Sequence, residues 1–94
     1  MPELNREQLH AVVYGRVQQV GFRDATRRRA ADLGLMGWVC NRADSTVEVV
    51  AEGDRATLER FLTFLNLGPS AAQVVKVESE WLPATGNFAD FAVR

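Results

Sequence analysis

The order in which the hydrophobic period changes along this chain constrains its fold more than any other feature. Leu9 to Tyr14 is a Val-rich run closed by Gly15, the pattern of a buried strand. From Gly21 to Leu33 the period lengthens to that of a helix, with Phe22, Ala25, Ala30 and Leu33 near one face. Arg27 to Arg29 fall largely outside that face, and Gly34 suits a left-handed stop. Gly37 to Asn41 reads as a second short strand, and a turn over Arg42 to Ser45 leads to a third. In that third strand, Thr46 to Gly53, Val47, Val49 and Ala51 alternate with Glu48 and Glu52, and Val50 interrupts the alternation. Asp54 is placed to cap a second helix, in which Leu58, Phe61, Leu62 and Leu65 follow i, i+3, i+4, i+7 spacing until Gly68-Pro69 ends it. A fourth strand sets Val75, Val77 and Trp81 against Lys76, Glu78 and Glu80. Pro83 to Asn87 then turns the chain into a short edge strand, "FADFAVR".

Strand, helix, strand, strand, helix, strand makes two β-α-β halves. With right-handed crossovers, halves of this size close into an α+β, ferredoxin-like sandwich. The expected sheet is antiparallel, with both helices on one face and a short extra C-terminal strand. Ninety-four residues supply one core, so 1–94 is read as a single domain whose first seven residues form a loose tail. No apolar run approaches the roughly 20 residues that span a bilayer. The start, "MPELNREQLH", lacks the apolar core of a secretion signal, so a cytoplasmic monomer is expected. The single cysteine, Cys40, can form no intramolecular disulfide and supplies no cysteine-rich zinc site.

A formal net charge of -1 argues against a general nucleic-acid or acidic-membrane binder. The charge is nevertheless uneven. Between positions 16 and 42 stand six arginines (Arg16, Arg23, Arg27, Arg28, Arg29 and Arg42) against two acids, Asp24 and Asp32. A local positive field of this kind favours small anions over long polyanions.

Within it lies "GRVQQVGFR", Gly15 to Arg23, at a strand-to-helix corner. Such a corner leaves consecutive backbone N–H groups without partners, and the positive end of the helix dipole helps them hold an anion. Arg23, in the first helical turn, opposes that dipole unless an anion compensates, and its planar guanidinium can grip two phosphate oxygens. A glycine-rich turn that does nothing but turn remains the competing reading at this point.

"GRVQQVGFR" followed by "GWVCN" resembles the acylphosphatase family, whose usual pattern is Gly-Arg-Val-Gln-Gly-Val-Gly-Phe-Arg and then Gly-Trp-Val-x-Asn. The resemblance runs on through "VEVVAEG" to "FADFAVR". It implies hydrolysis of a small-molecule acyl phosphate to a carboxylate and inorganic phosphate, with no metal or cofactor. Carried over by position, Arg23 would bind phosphoryl oxygens and Asn41 would orient the attacking water. The backbone of Arg16, Val17, Gln18, Gln19 and Val20 would cradle the phosphate.

The sequence departs from the family at three positions. Gln19 stands in place of the central glycine. If the backbone there has positive φ, a non-glycine costs about 1–2 kcal/mol, while its N–H survives. Its side chain would narrow the mouth of the site or touch a ligand. Cys40 replaces a residue that is often basic, and alternation turns it to the face opposite Asn41, away from any role as nucleophile. Ser45 follows Asp44 where Asp-Gly would make the easier turn. Arg27 to Arg29 read as a solvated face, His10 as an ordinary strand residue, and Trp38 and Trp81 as packing residues. Two other functions compete with this one. An RNA-binding module needs stacking aromatics on the open sheet, where the central strands offer Tyr14 alone. A catalytically weak phosphate-binding relative would find its argument in Gln19.

Overall fold

The computed structural model of the chain describes residues 6–94. In chain order the elements are β1 (Arg6–Arg16), α1 (Phe22–Asp32), β2 (Met36–Asn41), β3 (Val47–Asp54), α2 (Arg55–Leu67), β4 (Gln73–Pro83) and β5 (Phe91–Val93). The sheet order is β4-β1-β3-β2-β5. The first four strands pair antiparallel, and β5 joins β2 in parallel, so the sheet is mixed at that edge. This is the ferredoxin-like sandwich with its extra strand. β1 begins at Arg6, so the last two residues of the expected tail, Arg6 and Glu7, are strand; residues 1–5 lie outside the described residues.

One face of the sheet supplies the core. Leu9, Ala11 and Val13 of β1, Val39 of β2, and Val47, Val49 and Ala51 of β3 are wholly buried against Phe22 and Ala30 of α1 and Leu58, Phe61 and Leu65 of α2. Each large side chain removed from water here contributes about 1.5–3 kcal/mol. Asp54 caps α2 as expected, accepting from Thr57 N–H at 3.0 Å and from the Thr57 hydroxyl at 2.9 Å. α1 has no side-chain cap: Gly21, with φ 77°, turns the loop directly into it.

One strand expectation is corrected, and one outward residue proves buried. Val75 is 77% exposed rather than inward, because the β1–β4 register shifts between Tyr14 and Gly15. The bulge leaves Val75 without a place in the alternation, and Val74 and Val77 face the core on either side of it. Gly15 makes this possible. Its φ is 129°, and a Cβ there would stand 2.1 Å from the Gln73 carbonyl oxygen. Glu52 lies on the outer face, as alternation requires, yet it is 1% exposed. The segment 84–90 crosses the sheet end over it, from β4 at one edge to β5 at the other. Four interstrand gaps of about 4.8 Å make a span of roughly 19 Å, against a reach of about 26–29 Å for eight extended steps. The segment therefore has slack to spare, and Glu52 pins it. Its carboxylate accepts from Thr85 N–H (2.8 Å), the Thr85 hydroxyl (2.8 Å), Gly86 N–H (2.9 Å) and Gln8 Nε2 (2.7 Å).

The candidate phosphate site at the β1–α1 corner

β1 ends at Arg16, two residues beyond the register shift, and Gly21 leads into α1, so residues 17–21 form a short bend between two fixed elements. Among the described residues, none of the amides of this bend donates to a backbone carbonyl. Val17 is buried and anchors the bend in the core, and Val20 packs against the core's edge. Gln18 turns away from the bend, its Nε2 donating to the carbonyls of Arg42 (2.8 Å) and Thr46 (2.9 Å) in the β2–β3 turn. That turn is closed by Arg42 N–H donating to Thr46 O at 2.9 Å, and it holds Ser45 at φ 74°, the position where glycine would sit more easily. Gln18 therefore ties the bend to the end of the strand that carries Asn41. Sequence reasoning gave Gln18 a backbone role alone, since nothing local marks a contact across 28 residues.

A cavity of about 340 Å³ opens where these pieces meet. Arg23 and Asn41 both line it, together with Val17, Gln19, Gly21, Phe22, Asp24 and Val93. Of the residues expected to form the cradle, Arg16 remains in the β1–β4 ladder opposite Gln73. Arg16, Gln18 and Val20 are not among the lining residues. Arg23 donates through Nη1 to the backbone oxygen of Arg94 at 3.0 Å, which fixes one edge of the guanidinium beside the cavity. β5 and the residue after it supply that oxygen, being held to β2 by Arg94 N–H donating to Val39 O at 2.8 Å. The Asn41 Oδ1 is buried and has no hydrogen-bond partner among the described residues. An acceptor in that state costs about 1–3 kcal/mol until a donor reaches it.

The remaining charges fall into place around this corner. Arg27 and Arg28 both bind Asp24, at 3.3 and 2.5 Å, and these bonds hold the Asp24 carboxyl below its ordinary range. Arg29 stacks on Phe64 at 4.8 Å. Cys40 points to the opposite face, where burial first and Glu48 second push its thiol up, away from the reactive thiolate. His10, read as partnerless from its neighbours in sequence, lies between Glu48 (2.7 Å) and Glu80 (3.3 Å) of two flanking strands. A hollow of about 380 Å³ at the other end of β1 is lined by Arg6, Leu35, Asp54 and Thr57 among others. Its one carboxylate is already taken up in capping α2.

Fold and corner together define a ferredoxin-like protein with a cavity at a strand-to-helix turn, lined by Arg23 and Asn41 among apolar neighbours. The chain belongs to the acylphosphatase family: the family's model, described as Acylphosphatase, matches residues 9–93. An acylphosphatase of Pelotomaculum thermopropionicum is 46% identical over 90 residues, covering 96% of this chain and 98% of that one. One of Dehalococcoides mccartyi is 49% identical over 87 residues, covering 92% and 96%. The solved structure of an acylphosphatase from Coxiella burnetii superposes with a TM-score of 0.93 at 37% identity, covering 100% of this chain and 98% of that one. The protein is accordingly an enzyme of the acylphosphatase class.

Proposed function

We propose that this enzyme hydrolyses the carboxyl–phosphate bond of small acyl phosphates at the β1–α1 corner. In this reading Arg23 and the amides of residues 17–20, beyond the ladder that holds Arg16, bind the phosphoryl oxygens, and Asn41 orients water. The observation that carries it is the meeting, around one cavity, of Arg23, Asn41 and a bend whose amides donate to no backbone carbonyl among the described residues. Water attacks phosphorus as the bond from phosphorus to the bridging oxygen breaks, and the acyl group departs as a carboxylate. The water proton passes to a phosphoryl oxygen, giving dihydrogen phosphate. A carboxylate leaving group has a pKa of about 4, so it departs as an anion at neutral pH with no general acid.

What remains is charge stabilisation and in-line positioning, the main demands of phosphoryl transfer. The guanidinium and the amides meet the first demand. Asn41 meets the second, its buried Oδ1 accepting a hydrogen bond from the water while its amide can donate to a neighbour. Gln19, at φ 61°, keeps its N–H, so the cradle retains every donor. No metal or cofactor takes part in this scheme.

The same reading makes the protein a cytoplasmic monomer acting on a small molecule, without a nucleic-acid partner. In support, the outer sheet face presents Glu48, Glu78 and Glu80, which repel a phosphate backbone. Its Trp38 is stacked against Arg94 at 4.7 Å. Arg23→Ala and Asn41→Ala should each lower kcat for benzoyl phosphate by about 10²- to 10³-fold with the circular dichroism spectrum unchanged. Near-native turnover in either folded variant removes that residue from the mechanism.

A further inference from the structure

We infer that Gln19 selects the acyl group, favouring substrates with a neutral hydrogen-bonding function on the acyl side; this rests on the reaction proposed above. Gln19 is exposed at the cavity rim with φ 61°, a left-handed conformation that disfavours every residue with a Cβ except, mildly, Asn and Asp. A disfavoured backbone retained at a reaction site calls for a functional account. The neighbouring Gln18 has its carboxamide engaged by two carbonyls, whereas no side-chain hydrogen bond among the described residues involves Gln19.

The rest of the cavity narrows the role. Once the phosphoryl group occupies Arg23 and the amides and Asn41 holds the water, and with Val17 and Phe22 buried, the lining side chains left to meet the acyl portion are Gln19, Asp24 and Val93. Asp24 is taken up by Arg27 and Arg28, and Val93, 42% exposed, offers only apolar contact. Gln19 is then the group able both to donate to and to accept from an acyl substituent.

The test compares kcat/KM for 4-carbamoylbenzoyl phosphate and benzoyl phosphate in the native protein, Gln19→Gly and Gln19→Met. Taking the ratio of the two substrates within each protein cancels their intrinsic reactivity and any general effect on the phosphate cradle. Loss of one neutral hydrogen bond should lower that ratio about 3- to 10-fold in both variants. An unchanged ratio in both overturns the inference. So does a ratio that falls in Gln19→Gly but not in Gln19→Met, which would assign the effect to bulk. If the native protein turns over benzoyl phosphate, either result counts against Gln19 alone; if it turns over neither substrate, the proposed reaction falls as well.

Discussion

Replacing Gln18 by Ala removes a side chain that, alone among the described residues, hydrogen-bonds from the bend at residues 17–21 to the β2–β3 turn. Two hydrogen bonds are lost, at 2.8 Å to Arg42 O and 2.9 Å to Thr46 O. A neutral bond contributes about 0.5–1.5 kcal/mol net, and the Arg42 carbonyl can be rehydrated, so the loss should total about 1–2 kcal/mol. In a domain of this size that is a fall in Tm of about 5–10 °C by thermal circular dichroism. The functional effect should exceed what stability alone explains, because the bend and the strand end bearing Asn41 lose their shared anchor. We expect kcat for benzoyl phosphate to fall about tenfold at a temperature where the variant is fully folded.

Gln18→Glu sharpens the test, since a carboxylate would face two carbonyl oxygens. Its folded pKa is then raised above the unfolded value of about 4.3, so stability is retained below that pH and lost as pH rises through the folded pKa. A Gln18→Ala protein with native Tm and native kcat would refute the reasoning, as would a Gln18→Glu protein whose stability relative to Gln18→Ala does not depend on pH.

Further consequences concern the strands around the site. Burial alone would raise the Glu52 carboxyl, but its bonds from Thr85, Gln8 and Gly86 outweigh that and hold it below its ordinary value. Its contribution to stability is present above the unfolded pKa and is lost as pH falls through the depressed folded one. Glu52→Gln should therefore cost about 1–3 kcal/mol at pH 7 in urea unfolding and flatten the acid limb of the stability profile. Gly15→Ala should cost at least about 3 kcal/mol or prevent folding, since its Cβ would meet the Gln73 backbone at 2.1 Å; soluble expression and Tm report this directly. Cys40→Ser should keep native turnover, and iodoacetamide should modify native Cys40 several-fold more slowly at pH 7 than the urea-unfolded chain.

Most of the element order was legible because each helix and strand carries its own period, from Val47, Val49 and Ala51 to Leu58, Phe61 and Leu65. Arg23 and Asn41 were legible through the family resemblance, and the corner's capacity for an anion through general chemistry. Long-range geometry was not. The bulge that displaces Val75 depends on a close approach between Gly15 and a strand about 60 residues on. Alternation gives Glu52 its face but says nothing of the segment that crosses above it. His10 finds its two carboxylates on strands 38 and 70 positions away in sequence. In helix α1 the period singled out Phe22 and Ala30 but passed over Thr26, which is fully buried because a small polar residue can occupy a core position that the hydrophobic pattern does not mark. Gln19 went the other way: a family departure raised the question of positive φ, and its backbone does have φ 61°.

In the proposed reaction this corner hydrolyses acyl phosphates with its own side chains and amides. The direct measurement is the initial rate of benzoyl phosphate hydrolysis by the native protein, with and without a chelator, corrected for the spontaneous rate. Rapid turnover, equal in both conditions and inhibited competitively by inorganic phosphate, is the predicted result. Folded protein that gives no turnover above the spontaneous rate, or turnover abolished by the chelator and restored by a metal ion, would contradict it.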